Sequence, residues 1–257
     1  MTMKAAVLGI GEAGGALVAG LLAQGATVYG WDPEPKQIPA GVHFSASNPD
    51  AARQADVILS VNLAVVAEEV AEEVLPVLRT DQVYADMNTA SPRTKRQIAE
   101  IVSPSGALFA DVAIMAPVLP RGIGTPTMAS GPGAVRFQDM LSPFGMPVAV
   151  LDEEAGSAAT RKLLRSVFYK GVAAVVMECL EAAEQFGLQA WIREQMQTVF
   201  PDDQMINRFV EGSHAHAERR VHEMEAVSEM LREVGVAPYS SQAAAKRLVD
   251  LVERKGR

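Results

Sequence analysis

Three glycines in the stretch "VLGIGEAGG", Gly9, Gly11 and Gly14, have the spacing G-x-G-x-x-G. The apolar run "KAAVLG" precedes them and the helical pattern "GGALVAGLLAQG" follows. In that setting the triplet reads as a pyrophosphate-binding turn. Gly9 permits the sharp turn, Gly11 lets the backbone approach a ligand, and Gly14 lets the helix pack closely on the strand. Amides at the helix start, from Glu12 and Ala13, then face the phosphates. Asp32 lies 18 residues past Gly14, at the end of "VYGWD". There it can accept from ribose hydroxyls and repel a 2′-phosphate, which favours NAD over the alternative, NADP. Lys36 lies close enough to complicate that choice. A second set of reactive side chains is the cationic group His216, Arg219 and Arg220. On one helix their spacings of three and four gather them on one side, suited to a carboxylate or phosphate. The alternative is an exposed face paired with Glu218 and Glu223.

The first 150 or so residues alternate strand-length apolar runs ("KAAVLGI", "ATVYGW", "ADVILSV", "QVYADM", "ALFADVAI") with helical patterns. Strands apolar on both faces suit a parallel sheet covered by helices on each side. The expected architecture is α/β, a Rossmann doubly wound parallel sheet followed by an all-helical C-terminal domain joined by a long helix. "TPTMASG" and "PVAVLDE" would add edge strands near residues 126 and 148. The expected domains are 1–152, binding the dinucleotide, and 153–257, all-helical, for substrate and dimerisation. From Gly156 to Phe186 the helical period is unbroken by proline, which predicts one helix about 45 Å long ended by Gly187. Further helices are expected from "WIREQMQTVF", "HAHAERRVHEMEAVSEMLREVG" and "SQAAAKRLVDLVER".

Composition narrows the function classes. The net charge of −8 over 257 residues argues against a general nucleic-acid binder. The single cysteine, Cys179, rules out an intrachain disulfide and reads as an inert core thiol. His214 and His216 face apart on a helix, and no acidic set has metal-ligand spacing, so no metal site is expected. The longest purely apolar run, "VAAVVM", is far short of a membrane span. The N-terminus enters a strand at once, which leaves no room for a signal peptide. The expectation is a soluble, cytoplasmic protein with a small-molecule substrate and neither nucleic acid nor membrane as partner.

Further segments, in order along the chain, resemble the β-hydroxyacid dehydrogenase family, which is related to 6-phosphogluconate dehydrogenases. "DMNTASP" (Asp86 to Pro92) is similar to the family's D-x-S-T-x-x-P, with Asn88 where its first hydroxyl usually stands. "GSAATRKLLRS" (Gly156 to Ser166) is similar to G-x-G-x-x-x-K-x-x-x-N, which puts the family's catalytic lysine at Lys162 and Ser166 in place of the amide. The C-terminal part resembles a smaller branch with its own helical domain. "DVAIMAP" (Asp111 to Pro117) departs from the family's D-A-P-V-S-G-G. Met115, Ala116 and Pro117, at the position where the family's Ser-Gly-Gly cradles the substrate carboxylate, cannot reproduce that hydroxyl and those two flexible amides.

The resemblance implies hydride transfer between a nicotinamide cofactor and a small hydroxy acid or related anionic alcohol. Lys162 would take the hydroxyl proton, or return it in the reverse direction. Ser166, Tyr169 and Lys170 fall within roughly 80° of Lys162 on a helix surface. Ser166 can hydrogen-bond a substrate hydroxyl. Lys170 either holds down the Lys162 amine's pKa or binds an anionic group, or it points to solvent. Arg165 is a further candidate for substrate recognition, beside His216 and Arg219. Asn62 and Leu63 follow "ADVILSV", and Asn88 and Thr89 follow "QVYADM", at strand ends that line the cofactor crevice of such sheets. Two other readings are an imine or ketone reductase on the same architecture, whose members typically lack a lysine at this position, and a dinucleotide-binding sensor without turnover. The long helix and the apolar faces after it predict a homodimer formed through the helical domain.

Overall fold

The structure is a computed structural model that describes every residue except 1, 36, 256 and 257. Lys36, which bears on the cofactor choice, lies outside the described residues. The chain divides into two compact units, Met1–Lys162 and Leu163–Arg257. The change of pattern read near residue 152 falls in the loop before the long helix, whereas the units divide inside that helix.

In the first unit the strands are β1 (Lys4–Leu8), β2 (Thr27–Trp31), β3 (His43–Phe44), β4 (Val57–Ser60), β5 (Val83–Asp86), β6 (Leu108–Ile114), β7 (Thr127–Ser130) and β8 (Val148–Val150). Among the described residues they form one eight-stranded sheet in the order β3-β2-β1-β4-β5-β6-β7-β8. The chain reverses direction of travel across the sheet between β1 and β4, the switch point at which doubly wound sheets open a crevice. The helices of this unit are α1 (Glu12–Ala23), α2 (Asn48–Arg53), α3 (Ala67–Val74), α4 (Pro92–Val102) and α5 (Ala134–Leu141). Local sequence caps two of them. Ser47 caps α2, and Ser91 caps α4 with proline in its first turn.

Successive strand residues face opposite sides of the sheet. Ala5, Val7, Val57, Leu59, Val83 and Ala85 pack with Leu17, Leu21, Phe137 and Leu141 from α1 and α5. Ala6, Leu8, Ile58 and Tyr84 pack with Ala51, Val70, Val74, Ile98 and Val102 from α2, α3 and α4. Both faces are therefore buried, as the doubly apolar strand runs require. One difference from an all-parallel sheet is β7, which runs antiparallel to β6, while β8 resumes parallel pairing on β7. The segment from Met115 to Pro126 contains no crossover helix and folds back on itself, with the Met115 amide bonded to the Pro126 carbonyl at 2.9 Å. A connection that short delivers an antiparallel neighbour.

The long helix α6 (Ser157–Phe186) runs for 30 residues and is followed by Gly187 at φ +70°. Its part from Leu163 onward belongs to the second unit, with α7 (Gln189–Gln197), α8 (Asp203–Ala215), α9 (Ala217–Glu233) and α10 (Tyr239–Lys255). The helix expected across "HAHAERRVHEMEAVSEMLREVG" is interrupted: His216, at φ −125° and ψ 27°, separates α8 from α9. The break lets Ile206 and Phe209 of α8 pack with Ala173 and Val176, while Met224, Val227 and Leu231 of α9 pack with Leu163, Met177 and Leu248. Cys179 is half-buried on α6 rather than sealed in the core. Among the described residues no helix is long and apolar enough to cross a membrane.

Candidate functional site

The glycine turn joins β1 to α1, and each glycine has its own physical reason. Gly9 has φ +97°, and a Cβ there would lie 2.5 Å from the Val61 carbonyl oxygen. A Cβ on Gly14 would sit 1.9 Å from the Gly9 carbonyl oxygen. Both positions thus exclude a side chain for the protein's own folding. Gly11 differs: a Cβ there would meet nothing within 4 Å. It is the N-cap of α1, in extended backbone geometry, and no side chain caps that helix start. The open backbone at Gly11, beside Glu12 and Ala13, is a cradle with room for a phosphate on the positive end of a helix. These residues fit a dinucleotide.

Asp32 follows β2 and is tied to the same turn. One carboxylate oxygen accepts the Ile10 amide at 2.7 Å and the other accepts the Glu34 amide at 2.9 Å. Each oxygen retains a lone pair for a further donor. At the ends of β4 and β5 a polar cluster forms. The Asn88 amide nitrogen lies 2.9 Å from Asn62 Oδ1, 3.2 Å from Ser60 Oγ and 2.5 Å from Asp86 Oδ1. Asn62 Nδ2 donates to Ser60 Oγ at 3.1 Å. Asn88 is buried, and its side-chain oxygen Oδ1 has no hydrogen-bond partner among the described residues. Leu63 is exposed next to this cluster in sequence. The glycine turn, Asp32, Asn62 and Asn88 therefore come together along the carboxyl ends of β1, β2, β4 and β5.

Lys162, the last residue of the first unit, donates from Nζ to Thr89 Oγ1 at 2.7 Å. Thr89 lies in the loop between β5 and α4, one residue past Asn88. Met115 and Ala116 follow β6 directly and are half-buried. Beneath the loop that carries Thr89 lies an ionic cluster that sequence reasoning missed. Lys95, Asp86 and Asp111 are all buried. Lys95 Nζ donates to Asp86 Oδ2 at 2.5 Å and to the Asp86 carbonyl at 2.8 Å, and stands 3.3 Å from Asp111 Oδ1. Burial works to lower the Lys95 pKa, but the two carboxylates outweigh it and the net shift is upward. For Asp86 burial raises the pKa and Lys95 opposes it, with Asp111 adding repulsion; the net shift is also upward. A signal for Lys95 did exist. It shares the buried face of α4 with Ile98 and Val102, so a lysine stands in register with an apolar stripe.

The remaining candidates belong to the second unit. Ser166 is buried and donates to Glu223, and Lys170 Nζ lies 3.2 Å from Ser166 Oγ and 2.7 Å from Glu223 Oε1. Burial lowers the Lys170 pKa, against the pull of Glu223. Lys170 is thus the cation of an internal pair rather than a solvated charge. Arg165 places its guanidinium 4.6 Å from the Tyr169 ring centre. His216 is not inside a helix with Arg219 and Arg220 but at the joint before them. Arg219 is exposed, whereas Arg220 reaches back to Ser213 Oγ at 2.9 Å, across Gly212, where a Cβ would crowd its guanidinium at 2.8 Å. Among the described residues no cluster of His, Cys, Asp or Glu could hold a metal ion.

A switch-point sheet with a glycine turn, a carboxylate after β2 and a lysine at the start of a long helix defines the class of hydroxyacid dehydrogenase-like dinucleotide-binding proteins. Residues 4–151 match the NAD binding domain of 6-phosphogluconate dehydrogenase, and the chain belongs to that family. Residues 183–251 match a C-terminal domain of unknown function, DUF1932. A conserved hypothetical protein from Sinorhizobium meliloti is 28% identical with a TM-score of 0.78, over 97% of this chain and 88% of that one. The 3-hydroxyisobutyrate dehydrogenase of Mycobacterium tuberculosis, solved with L-serine, has a TM-score of 0.81 at 18% identity, over 98% and 94% of the two chains. A reductive aminase from Aspergillus terreus, in complex with NADPH and ethyl levulinate, has a TM-score of 0.67 at 21% identity, over 100% and 95%. At those two identities the likeness is one of fold.

Proposed function

We propose that the protein is an NAD-dependent oxidoreductase that moves a hydride between the nicotinamide and a small hydroxy acid or related anionic alcohol. The observation that carries this reading is the Lys162 amine, held by Thr89 in the loop after β5, in the same unit as the open glycine turn. The cofactor, when bound, supplies the hydride acceptor or donor. Gly11, Glu12 and Ala13 hold its pyrophosphate on the start of α1, and Asp32 accepts from the ribose hydroxyls. Asp32 is also the basis for preferring NAD, since its charge repels a 2′-phosphate.

Lys162 is the acid/base. As the neutral amine it takes the proton of the substrate hydroxyl, and as the ammonium it protonates the oxygen in the reverse direction. Thr89, by accepting one amine hydrogen, limits the directions in which the nitrogen lone pair can point. Lys162→Ala is expected to lower turnover by about 10²–10⁴-fold and to leave NADH affinity intact. The assay is reduction of NAD across a panel of hydroxy acids, alongside NADH fluorescence titration. Undiminished turnover in that variant would sink the role of Lys162. Reduction of imines or ketones with no oxidation of any hydroxy acid would favour the reductase reading, and tight NADH binding with no turnover of either kind would favour a sensor.

The proposal extends to assembly. Leu164, Phe168, Val175 and Phe186 are exposed along α6, at spacings that keep them within roughly 40° of one another around the helix. This apolar stripe suits a second copy of the chain as its cover.

A further inference from the structure

The buried ammonium of Lys95 touches both structures that hold the Lys162–Thr89 pair. On one side it binds Asp86 twice, through the carbonyl at 2.8 Å and Oδ2 at 2.5 Å. Asp86 ends β5, and the loop leaving it carries Thr89 three residues later. On the other side Lys95 stands 3.3 Å from Asp111 Oδ1 on β6. The second oxygen of Asp111 accepts the amides of Gly156 and Ala159 at 3.1 and 3.0 Å and the Ser130 hydroxyl at 3.2 Å. Ser130 Oγ in turn accepts the Ala158 amide at 3.0 Å. Three amides at the start of α6 thus end on acceptors linked to Lys95. Lys162 is one turn further along that helix and reaches Thr89 at 2.7 Å.

We infer that Lys95 is the positioning residue for Lys162, clamping the Thr89 loop through Asp86 and the start of α6 through Asp111 so that the catalytic amine and its hydroxyl partner keep one geometry. The electrostatics require a cation at this point. Without it, Asp86 and Asp111 become two buried carboxylates with no counterion, and one takes up a proton. Asp111 also loses the ammonium that fixes its Oδ1, so the oxygen that accepts the Gly156 and Ala159 amides and the Ser130 hydroxyl is no longer held in place. The helix start then loses its fixed seat on β6 and β7, and Lys162 moves with it. Lys95 itself is sealed from solvent, so it acts only through these partners.

The clamp rests on the reading of Lys162 as acid/base, but its first test does not use turnover. Lys162 in the full-length protein is acetylated with limiting acetic anhydride across a pH series, and its rate is read by peptide mass spectrometry. Lys95→Met is expected to change that rate by about tenfold, or to shift its pH midpoint by about one unit, in keeping with the cost of small misplacements at reacting groups. Ser130→Ala removes the acceptor of the Ala158 amide and one donor to Asp111 while leaving Lys95 and both carboxylates in the chain. It is expected to change the profile in the same direction by a smaller factor, and it decides the matter if Lys95→Met does not fold. Gln82→Ala is the control for lost stability alone. Its side chain bonds the Ala52 and Ala55 carbonyls elsewhere in the unit, so its labelling profile should match the wild type even as its Tm falls. In turnover, Lys95→Met and Ser130→Ala should lower kcat and leave KM for NAD unchanged. A Lys162 labelling profile unchanged in both variants would overturn the clamp, whatever Lys162→Ala does. A changed profile together with full turnover in Lys162→Ala would sink the acid/base reading and leave the clamp standing.

Discussion

At the scale of single side chains, Asp32 holds the glycine turn in shape and is also the residue proposed to meet the ribose. Its carboxylate accepts the Ile10 amide of the glycine turn at 2.7 Å while facing the place proposed for a ribose. Two substitutions separate these duties. Asp32→Asn keeps an acceptor for Ile10 but removes the charge. It should weaken NAD binding by about tenfold, the worth of one charge-assisted hydrogen bond, and improve NADPH relative to NAD. Asp32→Ala should weaken both cofactors further, because the Ile10 amide is left without its acceptor. Fluorescence titrations with NADH and NADPH check this, and unaltered discrimination in both variants would contradict the ribose assignment. Lys162 was legible as a residue from its spacing after Gly156, through the family resemblance. Its partner Thr89, 73 positions away in sequence, was legible only as a residue at a strand end.

Among the elements, the β1–α1 turn makes the sharpest separation between folding and binding. Gly14→Ala places a methyl 1.9 Å from the Gly9 carbonyl oxygen, and a contact that close forces β1 and α1 apart. It should cost about 1–3 kcal/mol or more in a urea melt, as overpacking does. Gly11→Ala meets open space and should change stability by less than about 1 kcal/mol, the scale of an N-cap substitution. The same methyl stands where the pyrophosphate must approach, so NADH affinity should fall in Gly11→Ala although the fold is intact. Undiminished NADH binding in that variant would falsify the phosphate cradle. Other elements were less open to sequence reading. Nothing between Ser213 and Ala217 is a helix breaker, yet the helix is interrupted at His216, with Ile206 and Phe209 of α8 in one apolar cluster and Met224, Val227 and Leu231 of α9 in another. Local propensity favoured one helix and tertiary packing overrode it.

For the molecule as a whole, two compact units and an exposed apolar stripe on α6 lead to the prediction of a homodimer. Phe168, Val175 and Phe186 are 63%, 69% and 78% exposed, which is unusual for large apolar side chains on one line of a helix. Static light scattering at micromolar concentration should report a dimer, and Val175→Glu should shift it toward monomer with unchanged helix content by circular dichroism. A monomeric wild-type protein would remove the proposal. The buried ions of the first unit matter at this scale as well. Removing Lys95 alone leaves uncompensated carboxylates in the core and should cost about 3–5 kcal/mol.

The primary structure alone determined the alternation of strand and helix, the glycine turn, the acidic residue after β2 and the 30-residue helix, because each depends on residues near one another in the chain. Period, turn chemistry and the absence of breakers are local properties. Only the tertiary structure decided that β7 turns antiparallel, that Lys170 is an internal ion paired with Glu223, and that Lys95 lies at the junction of β5, β6 and α4. Those outcomes depend on which distant groups meet out of water. The apolar stripe of α4 marks Lys95 as a buried position, but its pairing with two aspartates 9 and 16 residues away exists only once the sheet brings their carboxylates to one buried ammonium.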